Sequence, residues 1–457
     1  MPAESRHRGI FVAFLAAAFL ASVLQILHGA NMAGVSAGLL AAVRSIGILL
    51  LAAYATSRRS LTAWIFVGMA AGAELGFDAP SAAAHCQVLG LIFLRLIKLI
   101  IAPLLFGTLV VGIAGHADLK KVGRMGVKAI VYFEVVSTIA ILIGLAAINV
   151  SRAGVGVQLP ATTEELKNVV PHTATDLILN VFPENFAKAV VEGQVLQIVV
   201  FSVLFALGLA MVPEAKRRPL LALAESLSET MFKVTNIVML AAPLGVFGAL
   251  AYAIGHMGLG ILLPLLKLLA TMYVALVFFV VVVLLPIAVF AKVPLAQFAR
   301  AVAEPVTIAY ATASSEAALP RAMENMEALG VPRQTVAFVL PTGYSFNLDG
   351  SSMYQSLALI FIAQAAGVHL SLGQQLFMML TLLLSSKGVA GVARASLVIV
   401  LATAAQFNLP IEPFFILLAF DQLMDMPRTA VNVLGNCLAT AVVAHWEGEF
   451  PSGEKAA

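Results

Sequence analysis

The sequence predicts an all-α polytopic membrane protein, and three observations carry that prediction. Of the 457 residues, 61% are hydrophobic and only 11% are charged, against about 25% charged in soluble domains. The mean hydropathy is +0.99. The charges are gathered in short segments between apolar stretches long enough to cross a bilayer as helices, which satisfy their own backbone hydrogen bonds in lipid. A formal net charge of +3 gives no reason to expect a nucleic-acid partner. The two cysteines, Cys86 and Cys437, stand at no metal-ligand spacing and read as inert small hydrophobes.

In chain order, residues 1–9 are polar and basic, and Ile10 to Leu27 is charge-free. It could be a signal peptide, but no small-residue cleavage pattern follows, so a retained helix is expected. A second stretch from Met32 to Tyr54 is interrupted by Arg44 and followed by Arg58 and Arg59. With Arg6 and Arg8 on the same side, residues 1–57 form a hydrophobic hairpin obeying the positive-inside rule, with the N-terminus cytoplasmic. Further spans are expected over Leu61–Gly76, Val88–Gly115 (whose Arg95 and Lys98 would reach an interface), Ala129–Asn149, Val195–Met211, Met231–Ile254 and Gly260–Phe290. Lys120, Lys121, Arg124 and Lys128 read as one basic cytoplasmic loop, and Lys216, Arg217 and Arg218 as another. Residues 150–192 read as an outer loop with short helices. This count keeps the basic segments on one side and both termini cytoplasmic.

After Lys292 the pattern changes, because Gly, Ser and Pro interrupt the apolar segments. Residues 296–327 hold Thr312-Ala-Ser314-Ser315-Glu316, residues 334–364 hold Pro341-Thr-Gly343 through Asn347-Leu-Asp349-Gly350-Ser351, and residues 371–405 hold Ser385-Ser386-Lys387-Gly388. Non-helical backbone at membrane depth is tolerated only where it is buried or lines a cavity. Paired interrupted segments in two halves point to a transporter binding site. The last apolar segment carries Asp421, Asp425, Arg428, Asn432 and Asn436, which share one face of a helix at about 100° per residue. Each ionised group there costs roughly 2.5–3.5 kcal/mol in lipid, so the stripe must face protein, water or a ligand. An internal salt bridge is the plain reading of the stripe, and a binding site for a charged polar ligand is the sharper one.

The strings YFE at 132–134, TASSE at 312–316, PTGYSFNLDGS at 341–351, SSKG at 385–388 and DMPRTAVNVLGN at 425–436 resemble the dicarboxylate/amino acid:cation symporter family, the glutamate transporters. The likeness spans roughly residues 60–450 and is greatest to the bacterial proton glutamate/aspartate branch. It implies a homotrimer with a glutamate-transporter-like fold, inverted repeats and two re-entrant hairpins, at about 296–327 and 371–405. On this plan residues 58–293 are mainly scaffold and trimerisation helices, with the third and sixth family helices joining the transport domain. Residues 294–447 are the transport core, with an unwound seventh helix and a charged eighth, and residues 448–457 are a cytoplasmic tail. The hairpin at 1–57 has no counterpart in the family pattern.

A guanidinium fork matches a carboxylate with two parallel hydrogen bonds, and the resemblance gives Arg428 the substrate's side-chain carboxylate. It gives Asp425 the α-ammonium, which favours glutamate and aspartate over C4-dicarboxylates lacking the amine. The i,i+3 spacing also lets the two residues pair with each other. By the same resemblance Thr429, Asn432 and Ser351 contribute polar contacts. The tips at Ser314–Ser315 and Gly391–Val392 offer backbone N–H groups to the α-carboxylate. Positions Gly343, Asn347, Asp349, Asn432 and Asn436 correspond to sodium ligands in sodium-coupled relatives. Here a neutral Asn436 stands where an Asp is common, and Lys387 adds a cation beside the second hairpin; both disfavour sodium. Glu316 is expected to be a buried acid that carries a proton, with Glu134 and Asp349 behind it. Asp421 completes the acidic set. Ala393-Arg394 replaces the Pro-Gly common in relatives.

The expected function is import of acidic amino acids with protons by alternating access, in a bacterial-type inner membrane. Alternatives are C4-dicarboxylate or sodium-coupled symport and, from another class, an anion channel or a sensor. No cofactor is expected beyond a coupling ion, H+ or Na+. No nucleophile, phosphate loop or metal cluster points to an enzyme.

Overall fold

The computed structural model describes residues 2–29, 36–114, 121–157, 182–192, 195–386, 395–410 and 412–450, and every regular element among them is helical. In chain order these are α1 (Pro2–Gly29), α2 (Ala37–Arg58), α3 (Leu61–Asp78), α4 (Pro80–His85), α5 (Gln87–Ala114), α6 (Lys121–Ser151), α7 (Phe186–Glu192), α8 (Val195–Met211), α9 (Glu214–Met239) and α10 (Ala242–Met257). There follow α11 (Leu262–Phe279), α12 (Leu285–Phe290), α13 (Leu295–Thr312), α14 (Ser315–Ala328), α15 (Arg333–Phe346), α16 (Asp349–Ala365), α17 (Leu372–Ser385), α18 (Ala395–Gln406) and α19 (Glu412–Trp446). Helices long and apolar enough to cross a membrane include Gly38–Arg58, Pro80–Val111, Arg124–Ser151 and Leu259–Phe290.

Close contacts group the chain into two units. The first comprises Met1–Leu96, Asn236–Leu263 and Phe415–Gln422. Within it α1 packs on α2, α2 on α3, and α3 on α10. Ser36 and Ser60 cap α2 and α3, their hydroxyls accepting from Leu39 N and Ala63 N, the usual remedy for first-turn N–H groups. Arg44, the charge that interrupts the second apolar stretch, is paired rather than exposed to lipid. Its Nε lies 2.8 Å from Glu74 and its guanidinium 2.8 Å from Asp78, both on α3. A further bond runs to Gln25 of α1 at 3.1 Å, so one side chain ties three helices. The face of α3 toward α10 is a glycine ladder. A Cβ on Gly68, Gly72 or Gly76 would run into the backbone carbonyl of Pro243, Phe247 or Ala251 respectively. Small residues at every fourth position permit this approach, which matters in lipid because the hydrophobic effect gives helices no attraction for each other.

The second unit comprises Ile97–Thr235, Pro264–Phe414 and Leu423–Ala457. Helices α6 and α16 lie together, Gly144 facing Met353 and Ser356. Gln364 closes the end of α6 by accepting from Gly154 N at 3.1 Å and donating to Ile148 O at 3.2 Å. Helices α13 and α14 pack as a pair around a turn at Ala313, whose φ of 50° is left-handed. Ser314 caps α14 there, its hydroxyl accepting from Ala317 N. Helices α15 and α16 are one apolar segment broken at Asn347-Leu348, as the sequence predicts. Helices α17 and α18 pack on each other and on α16, and the residues joining them lie outside those described.

The structure corrects several sequence-based boundaries. Lys121, Arg124 and Lys128 begin α6, and Lys216, Arg217 and Arg218 belong to α9, so neither basic group is a loop throughout. The single span expected over Met231–Ile254 is two helices divided at Leu240-Ala241, just before Pro243. The span over Gly260–Phe290 contains a π-helical turn at Val280–Leu284, ahead of Pro286. Proline removes a backbone donor, and each break lies where a proline prevents the regular ladder from continuing.

Candidate functional site: a polar seam between α16 and α19

Asn, Asp and Ser compete with the helical ladder and favour helix starts. The run Asn347-Leu-Asp349-Gly350-Ser351 accordingly ends α15 and begins α16. The new helix presents first-turn N–H groups inside the protein, and its acceptor comes from another helix. Asn432 Oδ1 of α19 accepts from Gly350 N at 2.8 Å and Ser351 N at 3.2 Å. Asn432 Nδ2 donates to Ser351 Oγ at 3.0 Å. Gly350 makes the approach possible, since a Cβ there would stand 2.8 Å from Arg428 Cα and closer still to the Arg428 carbonyl oxygen.

One turn N-terminal of Asn432 lie the charges. Arg428 is 1% exposed and is among the largest fully buried side chains. Its Nε donates to Asp425 Oδ1 at 2.8 Å, and Thr429 Oγ1 donates to the same oxygen at 3.1 Å. The guanidinium carbon sits 4.1 Å from the centroid of the Tyr354 ring on α16, a geometry worth about 2 kcal/mol when desolvated. Breaking a buried pair of this kind by removing one partner costs about 3–5 kcal/mol. The arrangement therefore holds two opposite charges at depth, paired across one helical turn.

A second polar cluster surrounds the helix break. Asp349 is fully buried, accepting from Ser137 Oγ of α6 at 3.3 Å and from Asn347 Nδ2 at 3.3 Å. Asn436 Nδ2 donates to Asn347 O at 3.2 Å, and Asn347 N donates to Gly343 O at 2.7 Å. The side-chain oxygens of Asn347 and Asn436 are buried with no hydrogen-bond partner among the described residues. Gly343 and Gly435 admit the neighbouring polar side chains, for a Cβ on either would strike Asn436 Oδ1 or Asp349 Oδ2. A carboxylate, two amide oxygens and a hydroxyl thus make an oxygen-rich cluster at the helix break.

Thus Arg428, Asp425, Thr429, Asn432 and Ser351 come together, and Gly343, Asn347, Asp349 and Asn436 form the adjoining cluster. Asp421 is buried farther up α19. Glu134 is half-buried on α6, its carbonyl accepting from Thr138 Oγ1. Ser314, Ser315 and Glu316 stand at the start of α14, and no hydrogen bond joins them to the seam among the described residues. Glu316 is exposed in this chain, so the burial expected of it is not found: it occupies the first turn beside a hairpin tip, not an interior face. Gly391, Val392 and Lys387 lie outside the described residues. Sequence reasoning missed Tyr354 and Ser137. Tyr354 is three residues beyond Ser351 on the same helix, and helical spacing from the motif could have found it. Ser137 follows Phe133 by one turn, but its partner is 212 residues away.

Comparison with known proteins adds to this geometry. The family model of the sodium:dicarboxylate symporter family matches residues 61–446, leaving α1 and α2 before the match. The proton/sodium-glutamate symport protein of Geobacillus stearothermophilus is 41% identical over 403 residues, covering 85% of this chain and 95% of that protein. The proton/glutamate-aspartate symporter of Escherichia coli K12 is 44% identical over 372 residues, covering 79% and 85%. The C4-dicarboxylate transport protein of Solibacter usitatus is 41% identical over 401 residues, covering 86% and 94%. The chain therefore belongs to the sodium:dicarboxylate symporter family of membrane transporters, not to a family of enzymes.

Proposed function

We propose that this protein is a symporter that imports glutamate and aspartate with protons by alternating access. The observation that carries the reading is the buried Arg428–Asp425 pair, at 2.8 Å. An acidic amino acid exchanges this internal pair for two new ones. Its side-chain carboxylate takes the guanidinium and its ammonium takes Asp425, so neither buried charge is left alone. A C4-dicarboxylate lacks the ammonium and would leave Asp425 uncompensated. The names of the Geobacillus and Escherichia relatives, which specify glutamate and glutamate-aspartate, support the same choice.

For the coupling ion, the full burial of Asp349 in a cluster that also holds the unpartnered side-chain oxygens of Asn347 and Asn436 favours it over the exposed Glu316 as the proton carrier. The same oxygens favour sodium as a second reading, and the names of two kinds of relative, proton and proton/sodium, allow both. The assembly we infer is a homotrimer in a bacterial inner membrane with both termini cytoplasmic. Residues 58–293 would be largely scaffold, and residues 294–447 a transport core with α13–α14 and α17–α18 as re-entrant hairpins.

Uptake of labelled aspartate and succinate into proteoliposomes tests the substrate. The Arg428→Ala variant is expected to lose uptake by at least about a hundredfold, and Asp425→Ser to prefer succinate. Undiminished aspartate uptake by Arg428→Ala would overturn the reading. Proton and sodium gradients imposed separately decide the coupling: uptake driven by sodium alone would remove the proton.

A further inference from the structure

One polar side chain of α16 takes no part in the contacts described above. Gln355 is 0% exposed, and neither its Oε1 nor its Nε2 has a partner among the described residues. A buried amide with both ends unmade is rare, because its desolvation is not repaid. Such a group marks a place where a partner arrives.

The helical register sets Gln355 beside the charged seam. On α16, Ser351 meets Asn432 and Tyr354 lies against the Arg428 guanidinium. Gln355 follows Ser351 by one turn and Tyr354 by one residue, so at about 100° per residue it flanks that face. Met353 and Ser356, on the other side, are covered by Gly144 of α6. The amide thus stands next to the row that holds Arg428, away from α6 and on the flank of a helix that also packs on α17 and α18.

We propose that Gln355 is a specificity-determining residue of the Arg428 site, donating hydrogen bonds to a carboxylate of the bound acidic substrate. This rests on the acidic-substrate reading. A carboxylate has about four acceptor positions, and a guanidinium fork fills two of them. The Nε2 donors supply the remainder. A neutral apolar amino acid leaves the amide unmade, so the residue discriminates against such cargo as well as favouring the acidic one.

The test is Gln355→Met, which keeps length and approximate volume while removing both polar atoms. Purified protein in proteoliposomes is assayed for aspartate uptake beside wild type and Arg428→Ala, and the unliganded melting temperature is measured in detergent. The KM for aspartate is expected to rise at least about tenfold with Vmax little changed. The melting temperature is expected to stay level or rise, since an unmade buried amide has gone. An unchanged KM overturns the proposal, as does a lowered melting temperature with a loss of Vmax alone, the mark of a purely structural role. An unaffected Gln355→Met beside an inactive Arg428→Ala sinks the role of Gln355 only. A wild type that takes up no acidic amino acid, or an Arg428→Ala variant equal to it, sinks both readings together.

Discussion

Several pairs of helices in this protein approach closely through glycine, and two of those pairs use the closeness differently. In the α3–α10 contact, Gly68, Gly72 and Gly76 bring one backbone against the carbonyls of Pro243, Phe247 and Ala251. At these three positions backbone packs against backbone. In the α16–α19 contact, Gly350 faces the backbone of Arg428 and Gly435 faces the carboxylate of Asp349. There the room is filled by a capping amide, an ion pair and open amide oxygens. Close approach by itself is therefore a device of membrane helix packing and says nothing about a site. What separates the second seam is the buried polar groups it holds, some bonded to one another and some without a partner among the described residues.

The comparison is tested most severely at Gly350. A methyl there meets backbone of α19, which cannot rotate away, so Gly350→Ala is expected to cost about 3 kcal/mol and to abolish aspartate uptake. Thermal unfolding in detergent, with uptake on the same preparation, reads both. Gly72→Ala places its Cβ 2.5 Å from Phe247 O and is expected to cost about 2 kcal/mol. The folded fraction should keep its KM for aspartate, and a changed KM would mean that the glycine ladder is coupled to the site after all.

A contact of neither kind gives the smallest effect. Just beyond the end of α19, Glu447 pairs with Lys128 at 2.7 Å and with Arg124, both in the first turns of α6. Those two cations hold its carboxyl below the ordinary value of 4.5. Its contribution to stability is thus present above pH 4.5 and lost as pH falls through the lower folded value. Glu447→Gln should melt slightly below wild type at neutral pH, and the gap should close as pH falls below 4.5 and through the lower folded value. A difference that persists in acid would show that the carboxylate charge is not its source.

Much of the seam was legible before any coordinates. The stripe Asp425, Arg428, Asn432 and Asn436 follows from helical periodicity, and the break at Asn347–Asp349 from residues that prefer helix starts. Charges in a hydrocarbon setting leave few places to be, so their spacing alone nearly fixes their face. The burial of Glu316 was read from its motif and failed, because a position beside a hairpin tip does not imply an interior one. Arg44 stood out as a charge, yet nothing local named its partners.

The sequence by itself determined the class of protein, most of the apolar segments though not their breaks, and the register of polar residues along α19, because these depend on composition and a period of about 3.6 residues. Only the tertiary structure decided that Asn432 caps α16, that Tyr354 lies beneath Arg428, that Ser137 reaches Asp349 and that Arg44 joins Glu74 and Asp78. Each of those pairs is set by which helix faces give the closest packing. That choice is made by the fit of whole surfaces across long separations, and no local pattern encodes it.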